Sequence, residues 1–196
     1  MVARLSRWRI RGPPKIPVTV MRQQTELEMM TILLKTLLFT VLVPGTVTVL
    51  LPHLLLSSSV RQSPGLFGVF RNVGFVPILL GGLAYLWCAW DFLVAGRGTP
   101  APLDPPKELV VRGLYRHVRN PMYIGVTSIL LGESLFFESI VILIYTAIVF
   151  CGFFLLVVLY EEPTLKRQFG SSYERYIEAV PRWFPRHTEG GHHEGP

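Results

Sequence analysis

The sequence predicts an all-α integral membrane protein with about four transmembrane helices, and three observations carry that prediction. The first is composition. Of 196 residues, 50% are hydrophobic and 16% charged, with a mean hydropathy of +0.42, whereas soluble domains average about a quarter charged residues. The second is a series of apolar runs, several of them about 20 residues long, the length that crosses a bilayer core. The third is the segregation of basic residues into alternate connections. So much apolar surface excludes a disordered chain.

Residues 1–30 form a basic segment and residues 31–196 a single membrane domain. The first span is expected from Thr36 to Leu56, with Pro44-Gly45 in its middle as a tolerated kink. The second runs from Phe75 to Ala95 and contains Gly81-Gly82. A shorter run, Met122 to Phe137, carries Glu133, and the last, Ser139 to Tyr160, carries no charge. Glu138 and Ser139 form the junction of these two, which predicts a tight helical hairpin. The first apolar run starts late, exceeds an h-region and lacks a small-x-small cleavage site, so no signal peptide is expected. The Arg-rich start resembles a transit peptide, but Glu26, Glu28 and the span that follows argue against one.

Orientation follows from charge. Sixteen of the 19 Lys and Arg residues fall in residues 1–30, 96–121 and the tail after Tyr160. Only Arg61 and Arg71 fall in the 57–74 loop, and Lys35 marks the edge of the first span. Four spans with both termini cytoplasmic satisfy this positive-inside pattern. The membrane would be the plasma or inner membrane in a bacterium and the endoplasmic reticulum in a eukaryote.

Most residues capable of chemistry then lie in a cytoplasmic loop and in the tail. The loop begins Pro-rich, continues Lys107-Glu108-Leu109-Val110, turns at Gly113, and reaches Tyr115, Arg119, Asn120, Pro121, Met122 and Tyr123. Asn120-Pro121 is a helix-start signature, Asn120 as cap and Pro121 at the first helical position. Such a start aims free amides and a positive dipole end at an anion. The alternative is a basic loop drawn to anionic lipid. In the tail, Glu161 and Glu162 at the membrane border either hold a cationic partner or merely balance nearby basic residues. Ser171 and Glu174 have capping-box spacing. They precede Tyr173, Tyr176, Ile177 and Val180 at helical spacing, which predicts an amphipathic tail helix ending at Pro181. Trp183 and Phe184 are interfacial anchors.

Other residues are less informative. Asp91 either enters the site or snorkels to the interface. Glu133 lies about 18 Å along its helix from Pro121, at ~1.5 Å per residue, and is expected to make a structural hydrogen bond. Cys88 and Cys151 both lie in apolar runs, which suits neither a disulfide framework nor a metal site. No metal is expected: His187, His192 and His193 occupy a Gly-rich polar tail. No phosphate loop, dinucleotide fingerprint, Ser-His-Asp set or zinc spacing occurs. No nucleic-acid module is recognisable, so nucleic acid is not an expected partner.

Two segments together resemble the isoprenylcysteine carboxyl methyltransferase family and its wider relatives that methylate phospholipids. One is Gly113-x-Tyr115-x-x-x-Arg119-Asn120-Pro121-x-Tyr123-x-Gly125. The other is Glu161-Glu162-x-x-Leu165-x-x-x-Phe169-Gly170-x-x-Tyr173-x-x-Tyr176-x-x-x-Val180-Pro181, followed by Arg182-Trp183-x-Pro185. The resemblance covers roughly residues 105–186. It implies a membrane methyltransferase using S-adenosylmethionine, with the cofactor site drawn from Lys107, Glu108, Leu109, Val110, Tyr115, Arg119, Asn120, Pro121, Met122, Tyr123, Glu161 and Glu162. Within that set, Lys107 to Val110 run along the cofactor, Tyr115 packs on it, Asn120 to Tyr123 hold it at the helix start, and Glu161 takes its amino group. The acceptor is a lipophilic small molecule, a lipid or an isoprenylcysteine-like molecule arriving from the membrane. Asn120 stands where eukaryotic members carry His. Val157 stands where prenylcysteine-specific members carry Arg, which argues against a prenylcysteine acceptor. No residue is singled out as catalytic, although Glu162 and His117 are candidate bases. Sterol reductases, which use NADPH, share the Arg-[His/Asn]-Pro-x-Tyr-x-Gly element but not the Glu-Glu block. A non-catalytic scaffold whose basic loop and tail bind anionic lipid at the cytoplasmic face is the other alternative.

Overall fold

A computed structural model describes residues 18–58, 71–96 and 109–185, and every regular element among them is helical. The expectations about the basic N-terminus, Lys107, Glu108 and the tail histidines lie outside these residues.

Among the described residues, three helical segments are long and apolar enough to cross a membrane: Met29–Ser57, Arg71–Val94 and Ile140–Phe169. The first joins α1 (Val18–Leu42) to α2 (Leu51–Ser58) through a π-helical turn, Thr46–Leu50. Pro44 lacks an amide hydrogen, so the regular ladder is interrupted here. Two hydroxyls bond carbonyls in this region: Thr48 Oγ1 donates to Pro44 O at 2.8 Å, and Tyr145 Oη donates to Val47 O at 2.9 Å. Instead of the expected kink alone, the chain passes through a wider, underwound π turn tied to another helix.

The second span is α3 (Phe75–Asp91), entered by a 3₁₀ turn and continued by the π turn Phe92–Gly96. It packs against α4 (Pro121–Phe136) with the backbones nearly touching at two places. A Cβ on Gly132 would meet Gly74 O at 2.6 Å, and one on Gly125 would meet Gly81 O at 2.8 Å. Small residues at helix crossings permit this approach in membranes, where van der Waals packing drives association. The four glycines are thus the contact surface of the α3–α4 pair.

With 16 residues, α4 is shorter than the other apolar segments. It forms the expected hairpin with α5 (Ile140–Leu156). Glu138 turns the chain at φ 51°, and Ser139 accepts a hydrogen bond from Ile142 N at 3.4 Å, capping α5. Through the π turn Val157–Glu161, α5 runs on into α6 (Glu162–Phe169). The expected span therefore ends later than Tyr160. Its 30 residues reach about 45 Å at ~1.5 Å per residue, beyond a bilayer core of about 30 Å.

After Gly170 comes α7 (Ser171–Ala179). The expected capping box is absent, because Gly170 at φ 52° is the cap and Glu174 instead pairs with Lys166 of α6 at 2.9 Å. Tyr173, Tyr176 and Val180 bury together, with Leu109, Leu165, Phe169 and Ile177 around them.

Candidate functional site

The start of α4, the end of α5 and α7 converge on one cavity of about 580 Å³. Leu109, Val110, Tyr115, Arg119, Asn120, Met122, Tyr123, Glu161 and Glu162 all line it. Pro121 occupies the first helical position and is buried, but it supports the wall without facing the cavity. Two sequence segments some 40 residues apart are thereby joined, because the hairpin returns α5 alongside α4.

Local structure explains the loop side. Leu109 and Val110 lead through extended Arg112 to Gly113, which at φ +52° starts a 3₁₀ turn, Gly113–Arg116. A Cβ on Gly113 would collide with Asp91 Oδ2 and lie 2.8 Å from Trp87 Nε1. Asp91, 2% exposed, faces this turn, with Arg112 Nε at 3.7 Å. It neither lines the cavity nor snorkels. It supports the loop that does line it. Tyr115 is buried, with its ring edge-on to Phe92 and its centroid 5.5 Å away. Burial raises the Tyr115 pKa well above the usual phenol value, so it acts as a neutral aromatic.

Asn120 sits at the cap position, but its side chain makes no cap bond. Its Nδ2 donates to Arg182 O at 3.2 Å, and the neighbouring Arg119 N donates to Pro181 O at 2.9 Å. The predicted cap fails for a simple reason: the side chain is recruited by the tail. A third bond, Tyr176 Oη to Tyr115 O at 2.7 Å, completes the stitching of tail to loop.

The adjacent glutamates have different surroundings. Glu162 is 17% exposed; Arg182 donates to both of its oxygens at 2.8 Å, and Arg119 Nη1, from a side chain only 9% exposed, lies 3.0 Å away. Arg182 clamps this carboxylate at both oxygens and Arg119 adds a second positive charge beside it, which makes it a strong fastener of loop, helix and tail. Glu161 has no arginine among its described partners. It accepts a short hydrogen bond from Tyr123 Oη, and the Tyr123 ring packs on Phe153 with centroids 4.5 Å apart. His117, the other candidate base, is exposed and away from the lining.

Trp183 settles between Phe150 and Phe154, with centroid distances of 5.1 and 6.4 Å, as an anchor at the end of the bundle. Glu133 lies toward the opposite end of α4. Its Oε2 is buried without a hydrogen-bond partner, so the structural hydrogen bond expected for it is not seen at that oxygen.

Sequence reasoning missed the other wall. Phe39, Val43, Pro44 and Val47 of the first span, Tyr85 of α3, and Phe153, Leu156 and Val157 continue the cavity into the apolar bundle. Tyr173 and Tyr176, expected as the apolar face of the amphipathic tail helix, also line it. Among the described residues, no group of three or more His, Cys, Asp or Glu side chains forms a metal site.

Comparison with known proteins now bears on this geometry. The family model described as phospholipid methyltransferase matches residues 69–172, a stretch that includes α3 to α6 and leaves out the first span. The protein-S-isoprenylcysteine O-methyltransferase of Schizosaccharomyces pombe is 35% identical over 77 residues, which is 39% of this chain and 33% of that protein. The nickel-cobalt-cadmium resistance protein NccN of Alcaligenes xylosoxydans xylosoxydans is 26% identical over 140 residues, 71% of this chain and 61% of that protein. The chain therefore spans less than two thirds of either relative. No solved structure matches it.

Proposed function

The chain belongs to the phospholipid methyltransferase family, and on that premise we propose that it transfers a methyl group from S-adenosylmethionine to a lipophilic acceptor that reaches the cavity from the bilayer. The observation that carries this reading is the meeting of the Arg119-Asn120-Pro121-x-Tyr123 segment with Glu161 around one cavity.

The residues present suit the methyl donor. The free amides at the α4 start favour a carboxylate. Glu161, uncommitted to any arginine among its described partners, suits an ammonium. Its orientation is fixed by Tyr123. Tyr115, Val110 and Leu109 offer flat and branched apolar surface to a nucleoside, and Lys107 and Glu108 immediately precede them in the sequence. Arg119 and Glu162 hold the walls together. When bound, S-adenosylmethionine would supply an electrophilic sulfonium methyl whose C–S electron pair leaves with the sulfur, and a proton carried by the acceptor would pass to bulk solvent as the product departs. What the chain contributes is alignment and exclusion of water.

In the same proposal, four segments cross the membrane with both termini cytoplasmic, and the basic loop and tail rest on anionic lipid. Calorimetry on purified protein tests the site. Glu161→Ala should weaken donor binding roughly 30-fold or more, since truncating one partner of a buried charge pair costs about 2–5 kcal/mol. Tyr115→Ala should weaken it too. Unchanged binding in both variants would sink the assignment.

A further inference from the structure

Charge at the polar end of the cavity does not close on itself. The apolar arm, between the first span and α5, is lined by Phe39, Val43, Val47, Leu156 and Val157. Its Tyr85 hydroxyl is bonded to Thr40 Oγ1 at 2.9 Å. All the charged lining residues among those described, Arg119, Glu161 and Glu162, lie at the other end, where loop and tail meet. Arg182 Nε and Nη2 each take one oxygen of Glu162 at 2.8 Å. Arg119 Nη1 lies 3.0 Å from the same carboxylate, yet neither Nη1 nor Nε makes a hydrogen bond. Two guanidiniums thus share one carboxylate, and one positive charge is left over on a side chain only 9% exposed. A buried ion without its full set of bonds is costly, and the planar fork of arginine matches the oxygens of a carboxylate or phosphate. Tyr173, 3% exposed, lines the cavity on the same side. Burial raises its pKa, the Glu162 charge adds to that, and the Arg119 guanidinium works against both. The phenol therefore keeps its proton, beside the guanidinium. A bound donor does not cancel the surplus: its ammonium goes to Glu161, its carboxylate is met by the α4 amides, and its sulfonium is itself a cation.

We infer that Arg119 and Tyr173 form an oxyanion subsite for the acceptor, holding a phosphodiester or carboxylate group of a lipophile whose chain lies in the apolar arm. This inference rests on the methyl-transfer reading for what fills the rest of the polar end. Arg119 then works on two edges, one toward the Glu162 clamp and one toward the acceptor. A neutral head leaves the guanidinium unmatched, so the pair sorts acceptors by charge as well as fastening the walls.

The test uses the full chain in an uncharged maltoside detergent with S-adenosylhomocysteine present, at alkaline pH. Tritiated dodecyl methyl phosphate is displaced in turn by the same compound unlabelled, by dodecanoate and by dodecanol. The phosphodiester, the carboxylate or both should outcompete dodecanol roughly tenfold or more, as hydrogen bonds to a charged group require, and the winner names the head. Arg119→Gln should remove that advantage. Arg119→Lys, which keeps the charge without the fork, and Tyr173→Phe, which removes one donor, should each lower it in part, and they carry the test if the Gln variant fails to fold. Partition into the micelle is common to all variants, so the change in ratio reads the subsite alone. Dodecanol competing as well as both anions overturns the inference, as does a preference that survives all three variants or the absence of saturable binding. Calorimetry with S-adenosylhomocysteine on the same samples covers the rival use of Arg119. If Arg119→Gln weakens donor-product binding while the anion-to-dodecanol ratio stands, the guanidinium serves the donor carboxylate and this inference falls. Anion preference through Arg119 with no binding of S-adenosylhomocysteine or S-adenosylmethionine removes the methyl-transfer reading instead.

Discussion

The polar end of the cavity and its apolar arm are held together by different forces. At the polar end, loop, α6 and tail are fastened by directional bonds: Arg182 and Arg119 on Glu162, Asn120 on Arg182 O, Tyr176 on Tyr115 O. The arm is shaped by close packing, above all the contact of Gly81 with Gly125, with Tyr145 and Thr40 as its main polar ties. Bonded walls can be loosened one bond at a time, whereas packed walls fail through volume. The polar end should therefore respond to charge and pH, and the arm to side-chain size.

The widest test of that contrast is Gly125→Val. A Cβ there already meets Gly81 O at 2.8 Å and Tyr85 N at 3.2 Å, so two branched methyls must part the helices. Overpacking costs about 1–3 kcal/mol and occasionally more, and the upper end is expected here because the obstacle is backbone. The midpoint of thermal unfolding should drop, by more than for any variant at the polar end.

Glu162→Ala acts on the other end. It strands the guanidiniums of Arg119 and Arg182, whose side chains are 9% and 32% exposed. Breaking a buried pair costs about 3–5 kcal/mol, and the partial exposure of Arg182 brings this nearer about 2 kcal/mol. Donor affinity, read by calorimetry, should fall with stability. Glu162→Gln should recover only part of the loss.

The smallest effect is expected from Tyr176→Phe, about 1 kcal/mol for one hydrogen bond. This bond also gives the polar end its alkaline limit. Burial raises the Tyr176 pKa above its ordinary 10.0, so the folded state favours the neutral phenol. Its contribution is complete below pH 10 and is lost as pH climbs through the raised value. A denaturation series across that range should show a decline that the Phe variant lacks.

This contrast also decides how much was legible beforehand. Helices announce themselves through apolar runs and the Asn120-Pro121 start, and the Tyr115 to Tyr123 segment and Glu161 stood out as residues of unusual chemistry near a membrane border. Local pattern cannot show pairing across the bundle. Gly81 reads as an apolar filler until Gly125 is found against it. Glu162 looks equivalent to Glu161 until Arg182, 20 residues on, reaches back. Asn120 had the right residue type for a cap, yet a tail carbonyl 62 positions away claimed its side chain. The apolar arm carried no signal because its residues are those any span would use.

The π turns leave one more consequence. Successive residues of a helix point about 100° apart, so the two neighbouring glutamates necessarily look in different directions, and the phase of the rod decides which one meets the cavity. A π turn at Val157–Glu161 sets that phase by its length, and another at Thr46–Leu50 sets it for the facing wall. Part of the specificity of this molecule is therefore written as residue number, not residue identity. Gaining or losing a single position in either turn would re-aim an unchanged set of side chains.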